Sequence, residues 1–161
     1  MSKVWVCNAS PIILLSKAES LFLLTELADV IIPNGVKQEL TKKIDNRIQD
    51  FLSYKKVQVV KRSKVSPRVL EWGLGKGESQ VISLALENPA YEVVLDDKLG
   101  RKCAVSLSIK VRGTIGIVIL AKRKGLLSEA RPVIQKLVDS GIYFSDKWLS
   151  NVLSMVGEKW T

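Results

Sequence analysis

The sequence predicts an α/β fold in which a mostly parallel sheet is covered by helices on both faces. Three observations carry that prediction. Short β-branched runs alternate with helical patterns along nearly the whole chain, and such alternation builds parallel strands joined by helical crossovers. The chain has 161 residues, which suits one domain spanning 1–161. Its apolar fraction is 47%, enough to supply a core without disulfide or metal staples.

The elements follow in order. Residues 3–7 read as a first strand that stops at Asn8 and turns through Ala9-Ser10-Pro11. Residues 10–27 read as one or two helices, with Ser20 as an N-cap before Leu21, Leu24 and Leu27. Val30-Ile31-Ile32 is a strand stopped by Pro33, and residues 36–41 and 44–54 are helical. Residues 57–60 are β-branched and strand-like. Residues 61–64 read as a loop, not a domain boundary. Ser66-Pro67 opens a helix with Pro at its first position. A glycine-rich interruption at 73–77 precedes a strong helix over 78–87. Residues 92–95 form a strand ended by Asp96-Asp97, and 98–107 a helix. Residues 109–111 form the last strand. Gly113-Thr114 starts a helix through Lys124, which Gly125 ends. Two helical segments, 131–140 and 145–156, flank Ile142-Tyr143-Phe144.

Composition narrows the chemistry. There is no histidine, which removes Ser-His-Asp triads, histidine acid–base work and Cys/His zinc sites. The two cysteines, Cys7 and Cys103, sit in apolar surroundings and read as small buried hydrophobes. No apolar run approaches the roughly 20 residues of a membrane span, and the start lacks a leader pattern. The expectation is a soluble, cytoplasmic protein with no membrane partner. Twenty-five Lys and Arg face 16 Asp and Glu, a formal charge of +9 that favours polyanionic partners.

Four polar signals fall where strands or helix starts meet the carboxyl edge of the sheet: Asn8, Glu39, Glu78 and the pair Asp96-Asp97. In open α/β folds, ligands bind at that edge. Each signal has a purely structural reading. Asn8 can cap a helix, Glu39 can face solvent, Glu78 can answer a helix dipole, and Asp96-Asp97 can form a cap. Taken together in a chain without histidine, they point to a hard divalent cation, Mg²⁺ or Mn²⁺, held by oxygen ligands. Such an ion activates water and stabilises in-line attack on a phosphodiester.

The ordered segments Asn8-Ala-Ser-Pro-Ile-Ile-Leu-Leu-Ser-Lys, Val30-Ile-Ile-Pro-Asn-Gly-Val-Lys-Gln-Glu39-Leu, Leu74-Gly-Lys-Gly-Glu78-Ser, Val94-Leu-Asp96-Asp97-Lys-Leu-Gly-Arg101, Arg112-Gly-Thr-Ile-Gly116 and Leu120-Ala-Lys-Arg-Lys-Gly-Leu carry a resemblance. The chain resembles PIN-domain nucleases, and within them a VapC-like toxin branch with Asn at the first acidic position. The resemblance covers nearly the whole chain. It implies a three-layer α/β/α sandwich and a metal-dependent ribonuclease. It also implies the toxin of a toxin–antitoxin pair, a homodimer and an antitoxin protein partner. On it, Asn8 holds the place of the first acid, and Glu39, Glu78 and Asp97 match the others. These four are the expected catalytic and metal-holding residues, with Asp96 as a neighbouring metal candidate. Ser10 and Thr114 match small hydroxyl positions that orient ligands or water.

Basic residues expected to grip RNA are Lys76, Lys98 and Arg101 beside the acids, and Lys122, Arg123 and Lys124 at a helix end. The alternative is a PIN-fold RNA- or protein-binding module with weak or no catalysis, for which the neutral Asn8 speaks. A phosphoacceptor receiver domain fits less well, because its acid pair follows the first strand and this one lies past mid-chain. Trp148, Leu149, Val152, Leu153 and Val156 form a helical stripe expected in the core. Trp72 and Trp160 are assigned no place.

Overall fold

A computed structural model describes residues 3–61 and 64–161. Arg62 and Ser63, in the loop expected at 61–64, lie outside the described residues. Five strands form one sheet in the order β3-β2-β1-β4-β5, every neighbour parallel. They are β1 Val4–Cys7, β2 Asp29–Pro33, β3 Val57–Val60, β4 Tyr91–Val94 and β5 Val111–Arg112. Helices fill every crossover: α1 Ala9–Lys17 and α2 Phe22–Leu27, then α3 Asn34–Leu40 and α4 Asn46–Leu52. Next come α5 Pro67–Leu70, α6 Lys76–Glu87 and α7 Lys98–Ser106. After the last strand come α8 Thr114–Arg123, α9 Arg131–Asp139 and α10 Asp146–Ser154.

The strand order explains the layers. From β1 the chain moves outward to β2 and β3, and from β4 it moves the other way to β5. Right-handed crossovers therefore put the two sets of helices on opposite faces. On one face α1 packs with α8 and α9, and α2 with α8; on the other, α6 packs with α5, α7 and three central strands. The result is the expected α/β/α sandwich. The strands are apolar on both faces, as doubly covered parallel strands are. Trp5, Ile32 and Leu95 are fully buried in one core with Ile12 and Leu15 of α1, Ile82 of α6 and Ile117 of α8.

Several local expectations are corrected. Ser20 does not cap a helix: α2 starts at Phe22, and the Ser20 hydroxyl donates back to the Ala18 carbonyl. Glu19 just before it has φ +56°, so the chain reverses there before α2 begins. The last strand pairs through Val111 and Arg112, not from Ile109. Lys76 and Gly77 belong to α6, so the glycine interruption is shorter than expected. The stripe on α10 divides: Leu149 and Leu153 are fully buried, whereas Trp148 is 42% exposed. Trp160 is buried and donates from Nε1 to Asp146, and Trp72 packs on the margin of the core. Cys7 and Cys103 are both free and buried, as expected. Among the described residues no helix is long and apolar enough to cross a membrane.

Candidate acidic site at the switch point of the sheet

β1 and β4 are neighbours whose onward connections leave in opposite directions. The carboxyl ends of such a pair form the crevice in which open α/β sheets bind ligands. The β1–β4 register runs through Cys7↔Val94, and the Asn8 N–H continues it to the Val94 carbonyl at 2.9 Å. The Leu95 N–H in turn reaches the Arg112 carbonyl at 3.1 Å. The backbone on either side of the crevice is thus fixed by sheet hydrogen bonds up to the residues that carry the polar groups.

Asn8 occupies the N-cap position of α1, yet its side chain makes no capping hydrogen bond. The carboxamide instead donates from Nδ2 to Glu78 Oε2 at 3.4 Å. Capping therefore does not account for this side chain. Glu78 lies in the first turn of α6, half-buried. Its pKa is pushed up to about 7, first by burial and then by the negative charges of Asp97 and Glu39. Asp97 and Glu39 are thus near enough to Glu78 for their charges to act on it. Glu39 reaches it from α3 and is exposed. Asp97 caps α7, with Oδ2 accepting the Gly100 N–H at 2.8 Å.

Asp96 is used differently. It accepts the Thr114 N–H at 2.8 Å and the Thr114 hydroxyl at 2.6 Å, so both its oxygens hold the start of α8. Thr114, 2% exposed, is thereby committed to Asp96. Ser10 is exposed and lines a cleft of about 760 Å³ together with Asp96, Arg101 and Thr114. Among the basic candidates, Lys76 donates to Gln38 Oε1 at 3.0 Å, one residue before Glu39. Arg101 donates to the Leu95 carbonyl at 3.2 Å, and Lys98 is exposed on the same helix. Lys122, Arg123 and Lys124 lie apart from this group. α8 begins beside Asp96, and its ten residues carry its end about 15 Å away. Lys122 is moreover paired with Glu158 at 3.6 Å.

Glycines make the close approach of these elements possible, and the acid pattern alone does not reveal them. A Cβ on Gly100 would lie 2.8 Å from the Glu78 carboxylate. A Cβ on Gly113 would lie 2.9 Å from the Arg101 guanidinium and 3.1 Å from Asp96 Oδ1. At Gly35 the N–H donates to the buried Gln80 Oε1 at 2.7 Å, where a Cβ would meet that oxygen at 2.6 Å. This contact seats α3 on α6 and so brings the helix of Glu39 to the helix of Glu78. The signal was available in Asn34-Gly35-Val36 and Gly75-Lys76-Gly77, each a glycine at a helix start, but its partner lies 45 residues away.

The donors are suited to a hard cation. Three carboxylates and one carboxamide offer only oxygen ligands of the kind Mg²⁺ and Mn²⁺ take, with water completing the shell. The Glu78 pKa is raised first by burial and then by the charges of Asp97 and Glu39, and a bound cation would offset that repulsion. Among the described residues, no three acidic or thiol side chains form a ready-made ligand cluster.

The fold and this acidic crevice define an α/β domain with its polar site at the switch point. The PIN-domain family model DUF3368 matches residues 4–158, and the chain belongs to that family. It therefore has a nuclease-type fold: PIN domains are generally nucleases, which act on nucleic acid and generally use divalent metals. No curated protein matches the chain.

Proposed function

We propose that this protein is a Mg²⁺- or Mn²⁺-dependent endoribonuclease, and that it is the toxin of a toxin–antitoxin pair. The observation that carries the enzymatic reading is Glu78, held half-buried between Asp97, Glu39 and Asn8 at the switch point of the sheet. Asn8, Glu39, Glu78 and Asp97 would hold the cation, directly or through water, with Asp96 fixing the neighbouring helix start. When bound, the ion supplies an activated water and stabilises charge at the phosphorus.

The chain's own residues do the rest. Glu78 would give up its proton to the cation and stay ionised as a ligand. The Asn8 amide orients the Glu78 carboxylate. Lys76, Lys98 and Arg101, close to the acids in the chain, would grip the flanking phosphates. The toxin role, a homodimer and an antitoxin partner rest on the likeness of the quoted segments to the VapC-like branch.

The test is cleavage of single-stranded RNA by purified protein with Mn²⁺, beside Asp97→Asn and Glu39→Gln. Loss of cleavage in both variants supports the site, whereas equal cleavage by all three proteins rejects it. A second reading, a PIN-fold RNA-binding module without catalysis, is favoured by the neutral Asn8. RNA binding without cleavage across several divalent metals would establish it.

A further inference from the structure

Beside the acids lies a groove that the cation site does not use. The cleft of about 760 Å³ adjoins a second, more open depression of about 860 Å³, and the two share Asp96, Arg101, Phe144 and Trp148. One wall is aromatic. The rings of Phe144 and Trp148 stack with centroids 5.0 Å apart and planes 19° from parallel. Trp148 is nevertheless 42% exposed, an unusual loss for so large an apolar ring if it served the core alone. Its backbone is fixed at the start of α10, where Ser145 accepts the Trp148 N–H at 3.1 Å.

The opposite wall is basic. Lys98 and Lys102 are exposed on α7 and line the open depression with Arg101. Among the described residues neither lysine has an ion-pair partner. A presented aromatic face opposite unpaired cations complements a base and its phosphate, and single-stranded nucleic acids are bound by just these two contacts. A folded protein partner would more often meet an apolar centre with charge kept to the rim.

We propose that this groove holds a flanking nucleotide of a single-stranded nucleic acid, its base on the Phe144–Trp148 wall and its phosphate on Lys98, Arg101 and Lys102. The strand then runs past Asp96 to the acids. The proposal rests on the nuclease reading only for its choice of occupant, and the groove can bind whether or not the acids cleave.

The experiment measures binding of a fluorescently labelled single-stranded RNA in EDTA by anisotropy, and cleavage of the same RNA in Mn²⁺. Trp148→Leu is expected to weaken binding about tenfold, as loss of one base–aromatic stack does. Trp148→Phe should recover most of it. The Lys98→Ala/Lys102→Ala double variant should lower the salt dependence of log Kd by about one unit. Thermal melting shows that each variant is folded. Unchanged RNA affinity in Trp148→Leu, or no RNA binding by the wild type, overturns the proposal. If Trp148→Leu instead dissociates a dimer while binding RNA normally, the wall is a protein interface and the proposal also falls. Wild-type binding without cleavage in any metal rejects the nuclease reading and leaves the groove standing. Cleavage that survives in a Trp148→Leu variant with normal affinity does the reverse.

Discussion

The Asn8 carboxamide donates to the Glu78 carboxylate at 3.4 Å, across the gap between the end of β1 and the start of α6. An aspartate at position 8 could not make this bond with an ionised Glu78. It would add a third negative neighbour to a carboxyl already raised by Asp97 and Glu39. Asn8→Asp therefore has opposite effects in two conditions. Without metal it should lower the melting temperature by a few degrees. With Mn²⁺ it should tighten cation binding, read by calorimetry, by up to about tenfold, since one formal charge is gained near a wet crevice. Unchanged Mn²⁺ affinity would show that the side chain does not face the cation.

Glu78 makes stability depend on pH in a direction unusual for a carboxylate. Its folded pKa of about 7 lies above the ordinary 4.5, so the fold favours the protonated form. The stabilisation is complete below about 4.5 and is lost as pH rises through about 7. Glu78→Gln should therefore gain about 1 kcal/mol over wild type at pH 8, after allowance for solvent screening of a half-buried group. Urea denaturation in EDTA at pH 4 and pH 8 checks it, and the gain should all but vanish at pH 4.

The same proton links to cation binding. If Glu78 is a ligand, Mn²⁺ must displace its proton, so binding near pH 6.5 releases protons and tightens as pH rises through 7. Calorimetry in buffers of different ionisation enthalpy measures the release. In Glu78→Gln the release should fall to near zero.

Gly100→Ala tests how closely α7 approaches α6. The new methyl would lie 2.8 Å from the Glu78 carboxylate, in a buried position. Either the helix moves out or Glu78 turns away. A cost of about 1–3 kcal/mol is expected, with cleavage reduced at least tenfold. Chemical denaturation and RNA cleavage read the two effects separately.

Glu158 supplies a test remote from the acids. Its carboxylate accepts the Ala130 and Arg131 N–H groups at 2.8 and 2.9 Å and so closes the start of α9. Burial works against its ionised form, but these backbone bonds and Lys122 hold its pKa below the usual carboxylate value. Its contribution is present at neutral pH and lost as pH falls below 4.5. Glu158→Gln should cost about 1–3 kcal/mol at pH 7, with cleavage per folded molecule unchanged.

The strand order follows from patterns that the sequence carries locally: β-branched runs, the stop at Asn8 and the carboxylate pair after β4. Asn8 and Asp97 were singled out because a polar residue at the end of an apolar run is a local signal, and Glu78 because it opens a helix after a glycine-rich interruption. The different use of Asp96 was not legible, since its partner Thr114 lies 18 residues on and is revealed only by β5 pairing with β4. The Gly35–Gln80 and Gly100–Glu78 contacts were hidden for the same reason. Trp148 was misplaced because periodicity shows which residues share a helix face, not how much of that face a neighbour covers.

β1 lies between β2, which follows it directly, and β4, which is made some 85 residues later. A ribosome that has released the chain only as far as Pro89 has delivered Asn8, Glu39 and Glu78 but neither β4 nor Asp97. The crevice then has one wall, and α6 has β1 and β2 to pack on but not β4. If the proposed site cleaves, it can do so only once β4 and Asp97 have been made, after more than half of these 161 residues. On the proposed ribonuclease reading, that order of assembly would spare the message and the ribosome that are still making it.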